Sequence, residues 1–450
     1  MAVSIIHSGK TRWLSNPYEG YRGDQMKKTK ILWLSNVPPI PLSSDGSTIA
    51  GGWLSGALDS IRKESSIELT LSFPIASNVF EEQGVVDGIP YYGFHVSGYP
   101  KYNQLKQIHK KLLKRKLKAI IDSVKPDILH VFGTEFAHSR IAIEYFGKPD
   151  NTIIHIQGLV SRIAQHAVEG LPGRVRYMAV PSSLLHPTPT GQANRWRRAG
   201  KDEIKAIQGV SNVGGRTEWD KACSSQINPK VRYFHCGETL RSVFYLEDSR
   251  WSLSHCKKHS IYFSQGFDQI KGLHLVLPNM GELIRRYPDV HLYIGGPSPI
   301  KAGFLKRRAY GFYIASLIRR YELNDYVTFM GPQTAEQVVE NLKSAHVFLS
   351  SSLIENSPNA VGEALMVGVP VVSSDVGGVK DFIDHGKSGF IYPVDEPYMI
   401  PYYVGRIFDK PELATEISSE GKKSALKTYD REKNGLDLVA VYAFLEEHQY

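Results

Sequence analysis

Cysteine, long apolar runs and internal repeats are scarce or missing in this sequence of 450 residues. Its three cysteines, Cys223, Cys236 and Cys256, stand too far apart for a disulfide framework or a paired metal site, which favours a reducing compartment. No stretch approaches the roughly 18 apolar residues of a membrane span, and no apolar signal core opens the chain. We therefore expect a cytoplasmic protein that is at most peripheral on the inner face of the plasma membrane.

Charged and apolar residues are present in ordinary proportions. Apolar residues make up 42% and charged residues 22%, values typical of a soluble globular protein. The formal net charge of +9 favours anionic partners such as nucleotide phosphates or an acidic membrane surface. The length exceeds that of one ordinary domain, so the sequence predicts two.

The first 25 residues differ from the rest, because they are polar and show no sustained periodicity. Met26 is followed by basic residues and a buried strand, as at a natural protein start. We therefore expect residues 1–25 to be an extension that is disordered or not native, with a mobile arm as the alternative. Residues 26–228 then form a first domain, to which residues 425–450 return, and residues 229–424 form a second.

Apolar runs bounded by turn residues alternate with helical segments through both halves. This alternation predicts the α/β class, with two Rossmann-like, doubly wound domains facing across a cleft. The mostly helical C-terminus is expected to pack back on the first domain. Strands are predicted at residues 31–35, 67–73, 127–132, 152–156, 206–210, 260–264, 290–294, 326–330, 346–350, 369–373 and 390–392.

Two basic segments stand out in the first half. Residues 104–124 have the apolar stripe of an amphipathic helix, and residues 101–118 hold eight Lys or Arg and no acid. This helix is either an ordinary solvated face or an interfacial surface that holds the protein near anionic lipid. Residues 158–203 are poor in strands and broken by Gly and Pro, and we assign them to acceptor binding or membrane contact.

The stretch from Leu353 to Gly368 follows a predicted strand and has the marks of a helix start. Ser357 is the predicted N-cap and Pro358 the first helical residue. A helix N-terminus beside a strand end suits a phosphate anion. The two carboxylates, Glu355 before the cap and Glu363 inside the helix, suit hydroxyl groups of two sugars that flank this phosphate. The alternative is an ordinary strand–turn–helix with surface acids.

These residues, in this order, resemble the motifs of a known family. Glu355 and Glu363 match its Glu-x7-Glu motif, and Asn356-Ser-Pro-Asn359 matches its phosphate-binding turn. Lys271-Gly272 resembles its second phosphate element, and Gly51-Gly52 its N-domain loop. The sequence thus resembles retaining family 4 of the GT-B-fold glycosyltransferases (glycosyl transferases group 1), from about residue 28 onward.

The resemblance implies a role for each of these residues. Glu363 would bind the ribose hydroxyls of a nucleotide, and Glu355 the hydroxyls of the transferred sugar. Lys271 would neutralise the charge that grows on the leaving phosphate. The donor diphosphate would be bound by the backbone of Ser357, Asn359 and Ala360, with Gly51 and Gly52 approaching from the first domain.

Two positions depart from the family pattern. Gly266 stands where many members place an arginine, and Arg241 and Lys301 are candidates to replace that cation. Gln157 stands where members often have a histidine near the sugar. Gln157 can exchange hydrogen bonds but carries no positive charge, and His155, two residues earlier, is either its substitute or a structural residue.

The resemblance implies a retaining glycosyltransferase of the hexosyltransferase type, with an acceptor domain at 26–228 and a nucleotide-sugar donor domain at 229–424. The expected donor is a nucleotide-diphosphate sugar, with UDP favoured over GDP, and the acceptor a glycan or lipid-linked glycan in cell-surface polysaccharide synthesis. No Asp-x-Asp occurs in the chain, so we expect transfer with no metal and no cofactor. An anionic membrane surface is a further candidate partner, and nucleic acid is not expected.

Two other functions stay open at this point. One is a GT-B-type nucleotide-sugar epimerase, which would release a free epimerised sugar nucleotide. The other is an inactive homologue that acts as a binding partner, which the missing arginine and histidine favour and the presence of both Glu355 and Glu363 opposes.

Overall fold

The computed structural model describes residues 3–7, 10–14, 28–39, 52–62, 64–75, 82–95 and 107–448. The chain divides into two compact units. Unit 1 contains residues 1–162, 195–239 and 429–450, and unit 2 contains residues 163–194 and 240–428. Residues 163–194 thus pack with the second unit, whereas the sequence analysis assigned them to the first domain.

Unit 1 is built on a sheet whose central strands are all parallel. The order of its strands is β2-β1-β10-β9-β8-β7-β3-β4-β6-β5. The strands are β1 (Val3–His7), β2 (Lys10–Leu14), β3 (Thr29–Ser35), β4 (Ile67–Pro74), β5 (Gln83–Val86), β6 (Ile89–Phe94), β7 (Ile128–Phe132), β8 (Thr152–His155), β9 (Asn212–Gly215) and β10 (Arg232–His235). The parallel part of the sheet extends from β6 to β10. The order in which the chain adds these strands reverses between β3 and β7, as in a doubly wound fold.

The first 25 residues include two strands, contrary to the expected disorder of that extension. β1 pairs antiparallel with β10, and β2 pairs antiparallel with β1. Without β1, the free side of β10 would present unpaired backbone N–H and C=O groups. Main-chain pairing needs no particular side-chain pattern, which explains why polar, aperiodic residues carried no signal for it.

Helices cover both faces of this first sheet. The short helix α5 lies between these helices in the chain, but it packs with unit 2. In chain order they are α1 (Gly52–Ile61), α2 (Gln107–Val124), α3 (Ala137–Phe146), α4 (Val160–His166), α5 (Gly173–Arg176), α6 (Pro189–Gln208) and α7 (Glu218–Ile227). The predicted strand at 206–210 is wrong, because Ala206 and Ile207 are buried at the end of α6. The strand that follows is β9.

Unit 2 has a six-stranded, wholly parallel sheet. Its order is β13-β12-β11-β14-β15-β16, which is the doubly wound order 3-2-1-4-5-6. The strands are β11 (Ser260–Phe263), β12 (His291–Gly295), β13 (Val327–Gly331), β14 (Val347–Ser350), β15 (Val371–Asp375) and β16 (Phe390–Pro393). The helices are α8 (Leu273–Val276), α9 (Met280–Arg286), α10 (Ala309–Arg320), α11 (Ala335–Ser344), α12 (Asn359–Val367), α13 (Ile400–Asp409) and α14 (Pro411–Thr428).

The last helix, α15 (Arg431–Glu447), belongs to unit 1, as predicted for the C-terminus. It packs against α1, and the hydroxyl of Tyr442 accepts a hydrogen bond of 2.7 Å from the indole of Trp33 on β3. The same hydroxyl lies 2.6 Å from Nδ1 of His130 on β7. α15 therefore helps to form the core of unit 1. Among the described residues, no helix is both long and apolar enough to span a membrane.

Candidate functional site

A cavity of about 190 Å³ opens at the carboxyl ends of β11 and β14 in unit 2. These strands are neighbours in the sheet at the point where the strand order reverses, the usual ligand position in such folds. The cavity is lined by Phe263, Ser264, Gln265, Lys271, Leu349, Ser350, Ser352, Glu355, Ser357, Pro358, Asn359, Ala360 and Val361. It therefore brings together Lys271, Glu355, Ser357, Asn359 and Ala360, which the sequence singled out from separate segments.

Lys271 reaches this cavity from a tight turn that is fastened to the neighbouring loop. The turn is a 3₁₀ helix, Gln269–Lys271, ended by Gly272 at φ +71°. A Cβ at Gly272 would lie 1.8 Å from the carbonyl oxygen of Ser351, so only glycine permits this approach. The hydroxyl of Ser351 in turn donates to the carbonyl of Gly272 at 2.8 Å. The loops after β11 and β14 are thus held together beside the ammonium group.

Glu355 is the partner of Lys271 in the structure. The Lys271 ammonium lies 2.5 Å from Oε1 of Glu355, which also accepts a hydrogen bond of 2.7 Å from the hydroxyl of Ser352. The Glu355 side chain is only 15% exposed. Sequence reasoning did not select Ser352, since serine before such a loop is common. The pair joins one cation and one carboxylate at the wall of the cavity, as a charged substrate with hydroxyl groups would require.

Two glycines beyond β15 fix the backbone of Glu355. Gly377 has φ +53°, and a Cβ there would lie 1.9 Å from the carbonyl oxygen of Glu355. The amide of Gly378 donates to that same carbonyl at 3.1 Å. Gly377 and Gly378 therefore support the backbone of Glu355 without lining the cavity.

The helix α12 begins one residue later than predicted, so the expectation that Ser357 is its N-cap is wrong. Pro358 is the N-cap, and its carbonyl accepts from the amide of Gly362 at 3.0 Å. Within the described part of the chain, neither the buried Ser357 hydroxyl nor the buried Asn359 side-chain oxygen has a hydrogen-bond partner. Buried polar atoms without partners at the N-terminus of a nine-residue helix fit a bound polar ligand. The helix ends at Val367, with Gly368 as its C-cap.

Glu363 lies outside the cavity lining, on the second turn of α12, and faces a different partner. The Arg241 guanidinium donates to Oε1 of Glu363 at 2.7 Å. Burial raises the pKa of the Glu363 carboxyl, and the neighbouring Arg241 opposes this shift. The two residues are 122 positions apart in the chain, so only the fold reveals the pair.

Gly266 has no room for the arginine that many family members carry there. A Cβ at this position would lie 2.7 Å from Leu273 and 2.9 Å from Ile294. Of the two candidate replacements, Arg241 is held beside Glu363 on α12, whereas the Lys301 ammonium lies 3.4 Å from the carbonyl oxygen of Phe329. The geometry thus favours Arg241 as the second cation near this end of the sheet.

Unit 1 has its own polar group at the reversal point of its sheet. Asn36 follows β3 and Glu135 follows β7, and the Asn36 amide donates to Glu135 at 2.5 Å. Burial raises the pKa of the Glu135 carboxyl to about 7, an effect that the hydrogen bond from Asn36 partly opposes. Gln157, half-buried, follows β8 at the same edge of the sheet. Sequence reasoning placed Gln157 at this edge but had no reason to select Asn36 or Glu135.

His155 does not supply the positive charge that Gln157 lacks. Its ring is buried on β8 and stacks with Phe132 at 5.4 Å. Burial, together with the positive charge of nearby Arg216, lowers the pKa of His155 to about 3. His155 is therefore neutral at ordinary pH.

The remaining predicted site residues are the two N-domain glycines. Gly51 lies outside the described residues, and Gly52 is the first residue of α1. The described residues contain no cluster of three or more His, Cys, Asp or Glu side chains able to hold a metal ion.

A family model matches the unit that contains the cavity. The model is described as glycosyl transferases group 1, and it matches residues 247–424. The family resemblance seen in the sequence is confirmed over these residues, which include Lys271, Glu355 and Glu363. The finer assignment to family 4 and the role of each site residue stay predictions.

Curated relatives match only in part. D-inositol 3-phosphate glycosyltransferase of Corynebacterium urealyticum is 26% identical over 188 residues, 41% of this chain and 43% of that protein. Spore coat protein SA of Bacillus subtilis is 21% identical over 250 residues, 54% of this chain and 65% of that protein. The match thus spans less than two thirds of the length of either relative.

Solved structures extend the likeness to almost the whole chain. Sucrose-phosphate synthase from Thermosynechococcus elongatus is 14% identical, covers 94% of this chain and 100% of its own, and has a TM-score of 0.68. Anabaena HepE in complex with UDP-glucose is 15% identical, covers 92% of this chain and 99% of its own, and has a TM-score of 0.63. At these identities the likeness shows the fold, which is GT-B, and the predicted fold class is confirmed.

Proposed function

We propose that this protein is a retaining glycosyltransferase that moves a sugar from a nucleotide-diphosphate donor to a glycan or lipid-linked glycan in cell-surface polysaccharide synthesis. The observation that carries the proposal is the cavity in unit 2, where Lys271, Glu355 and the N-terminus of α12 meet. A UDP-sugar is the favoured donor, since HepE was solved with UDP-glucose. A relative in Salmonella typhimurium, 34% identical over 89 residues, is described as a putative colanic acid biosynthesis glycosyltransferase.

The donor diphosphate would occupy the cavity between Lys271 and the first turn of α12. A helix N-terminus offers unpaired N–H groups and a partial positive charge. Ser357 and Asn359 add polar atoms that have no partner among the described residues. Glu363 would bind the ribose, and Arg241, which donates to this carboxylate, opposes the rise that burial causes in its pKa. These groups account for the charge of a diphosphate without a metal ion.

The proposed reaction exchanges two bonds at the anomeric carbon of the sugar. An acceptor oxygen attacks on the face from which the diphosphate leaves, so the configuration is retained. The C1–O bond to phosphate breaks, its electron pair stays with the phosphate, and the acceptor proton passes to the departing phosphate oxygen. Lys271 stabilises the negative charge that forms there, and Glu355 holds the sugar hydroxyls near the positively polarised ring. Donor binding must therefore draw the Lys271 ammonium away from Glu355, its partner at 2.5 Å in this structure.

The acceptor would be bound in unit 1, at the edge where Asn36, Glu135 and Gln157 follow parallel strands. Ligands of doubly wound sheets bind outside the carboxyl ends of strands where the order reverses. The side-chain oxygen of Asn36 is buried without a hydrogen-bond partner among the described residues, and it lies beside the Glu135 carboxyl. These two adjacent oxygens can both accept a hydrogen bond from a hydroxyl group. Hydroxyl groups are what an acceptor sugar presents.

The helix α2 supports a location at an anionic membrane. Its buried side carries Leu113 and Leu117. Its exposed side carries Lys111, Lys114 and Lys118, and among these Lys118 is paired with Asp122 at 3.4 Å. Lys111 and Lys114 have no ion-pair partner among the described residues, so this face attracts anionic headgroups and would bring the protein to a lipid-linked acceptor.

A donor screen followed by product analysis tests the proposal. At a ligand concentration of 100 times Kd, a bound donor adds about 2.7 kcal/mol to the unfolding free energy. We expect a thermal shift with UDP or a UDP-sugar, and a new glycoside with the same anomeric configuration as the donor in the presence of EDTA. A free epimerised sugar nucleotide would instead support the epimerase alternative. Binding without any turnover across acceptors would support the inactive homologue.

Glu355→Gln separates chemistry from binding. Because Glu355 is proposed to hold the sugar near its reactive carbon, the amide should lower kcat by about 10²-fold or more while the Kd for UDP changes less than about threefold. Glu363→Ala should do the reverse and weaken UDP binding by about 1–3 kcal/mol. Steady-state kinetics and calorimetry on both variants check this, and an unchanged kcat in Glu355→Gln rules out its assigned role.

A further inference from the structure

Unit 2 carries an apolar surface that the proposed sugar transfer does not use. Five large apolar side chains on two segments are exposed: Tyr177 70%, Leu184 93%, Leu185 73%, Phe304 66% and Leu305 72%. Four of them are the most exposed large apolar side chains in the described part of the chain. Single exposed apolar residues are ordinary, but a cluster of this kind marks an interaction surface.

The two segments are held side by side. The hydroxyl of Ser182, two residues before Leu184, donates to the carbonyl of Arg307 at 2.8 Å. Phe304 meets Phe312 of α10 edge-on, with ring centroids 5.5 Å apart. The helix α5, which precedes Tyr177, also packs against α10. The five apolar side chains therefore belong to one surface, which we call the apolar-basic surface.

The two segments that carry these side chains have charged residues of one sign only. The sequence contains no Asp or Glu from residue 170 to 201 or from residue 290 to 321. Basic side chains are exposed in the same segments, among them Arg174, Lys306 and Arg308. Exposed leucines and aromatics within a basic surround are the combination found in proteins that lie in a membrane interface. Segments that carry basic residues and no acids also match the negative potential of anionic lipid.

We infer that the apolar-basic surface inserts into the interface of an anionic phospholipid bilayer, with Leu184, Leu185, Phe304 and Leu305 entering the acyl boundary and the basic residues meeting the headgroups. This inference does not depend on sugar transfer. Residues 163–194, which carry Leu184 and Leu185, are also connected to the donor site. The Gln269 side chain lies in the turn that carries Lys271, and it donates to the carbonyl of Ala167 at 2.5 Å. The proposed membrane contact and the donor cavity thus lie on one connected unit.

Vesicle co-sedimentation with the full chain tests the inference. We expect binding to vesicles of phosphatidylglycerol and phosphatidylcholine, and little binding to phosphatidylcholine alone. Replacing Leu184, Leu185, Phe304 and Leu305 by serine should weaken binding at least about tenfold, since each side chain loses its transfer out of water. The double variant Leu184→Ser/Leu185→Ser should lose part of the vesicle binding. Because both side chains are largely exposed, this variant should fold normally, so its weaker binding cannot be attributed to misfolding.

The matched control is Tyr398→Ser, which removes an apolar side chain of 65% exposure that lies beside Asp395 and Glu396. It should bind vesicles as the unmodified chain does. A charge-reversed α2, Lys111→Glu/Lys114→Glu/Lys118→Glu, should lose only the salt-sensitive part of binding, which about 0.5 M NaCl also removes. The binding that remains in that salt should be as weak as binding to neutral vesicles, and it should vanish in the serine variants.

Several results would overturn the inference. Vesicle binding that the serine variants retain in full would show that the surface does not contact lipid. Equal binding to neutral vesicles would contradict the choice of anionic lipid. Sedimentation velocity that shows a dimer dissolved by Leu184→Ser/Leu185→Ser would assign the surface to self-association instead. Transfer to a soluble acceptor should be unchanged in all these variants, so failure here is distinguishable from failure of the proposed enzyme activity.

Discussion

Gly377 acts on the site at the scale of a single backbone position. Its φ of +53°, and the 1.9 Å that would separate a Cβ at this position from the Glu355 carbonyl oxygen, leave no room for a side chain. Gly377→Ala should lower the unfolding free energy by about 2–4 kcal/mol, because left-handed strain and a backbone clash add together. The shift of this backbone should also displace Ser357, which lines the cavity two residues later, and so weaken UDP binding. Urea denaturation and UDP calorimetry measure the two effects.

Gly386 provides the matched control for that substitution. Its φ is +80°, but a Cβ there would meet nothing within 4 Å. Gly386→Ala should therefore cost only the strain, about 1–2 kcal/mol, and leave the Kd for UDP unchanged. If both variants lost the same stability and kept the same affinity for UDP, Gly377 would have no special role at the site.

Glu135 predicts a pH dependence of stability. Its pKa in the fold, about 7, lies above the ordinary glutamate value, so its contribution to stability is full at low pH and is lost as the pH rises toward 7. Glu135→Gln abolishes this titration and can still accept from Asn36. The variant should match the unmodified chain in stability at about pH 4.5 and exceed it at about pH 8, by up to about 3 kcal/mol.

Thermal unfolding across that pH range checks the Glu135 prediction. The exposed Glu416 of α14 provides the comparison, because Glu416→Gln shows what the loss of a solvent-facing glutamate does by itself. A stability difference for Glu135→Gln that stays constant across the whole range would contradict a raised pKa. A difference that grows as the pH falls would show that the fold lowers the pKa of Glu135 rather than raising it.

At the scale of the element, the start of α12 distinguishes a helix cap from a ligand group. Ser357 lies outside the helix, and its hydroxyl has no partner among the described residues. Ser357→Ala should therefore change the unfolding free energy by less than about 0.5 kcal/mol, while UDP binding weakens. Thr334 is a true cap of α11, accepting from the amide of Gln337, and Thr334→Ala should cost about 1 kcal/mol with no effect on UDP.

Denaturation and UDP titration of these two variants decide between the roles. A stability loss near 1 kcal/mol in Ser357→Ala, with unchanged UDP affinity, would restore the N-cap role that its position before Pro358 suggested. The sequence could not separate the two, because serine before proline favours a helix start by local propensity. The backbone of Pro358 itself took the cap position instead.

Elements with a strong local signal were predictable and the others were not. The central strands of the second sheet, β11, β14 and β15, are bounded by turn residues and buried on both faces, so their apolar runs located them closely. The run at 206–210 failed because Ala206 and Ile207 are the buried end of a helix, and a run that short has no readable period. β5 escaped prediction because a strand at a sheet edge needs few apolar residues, and β1 because it lies in an otherwise polar extension.

At the scale of the whole molecule, both units have the same strand order around their reversal points. Each unit then places polar residues at the carboxyl ends of the two strands that flank this point: Asn36 and Glu135 in unit 1, Lys271 and Glu355 in unit 2. The family motifs selected the second pair from the sequence. The first pair, and the contact of Arg241 with Glu363, join residues far apart in the chain and depend on tertiary packing.

The domain layout also shows where sequence reasoning ends. Nothing local in residues 163–194 indicates which sheet they join. Their attachment to unit 2 is made by contacts such as Ser182 with Arg307 and Gln269 with Ala167, which a contiguous division of the chain does not anticipate. That attachment brings Leu184 and Phe304 to one surface and so makes the membrane inference possible.

The most direct test of the donor site is calorimetric titration of UDP into the unmodified chain, Lys271→Met and Lys343→Met. Lys343 is a lysine of α11 that pairs with Glu340 at 2.8 Å and does not line the cavity. If the cavity binds the diphosphate, Lys271→Met should weaken UDP binding at least about tenfold, since a charged hydrogen bond is lost. Lys343→Met should bind UDP as before. Equal UDP affinity in all three proteins would contradict the assignment of this cavity as the donor site.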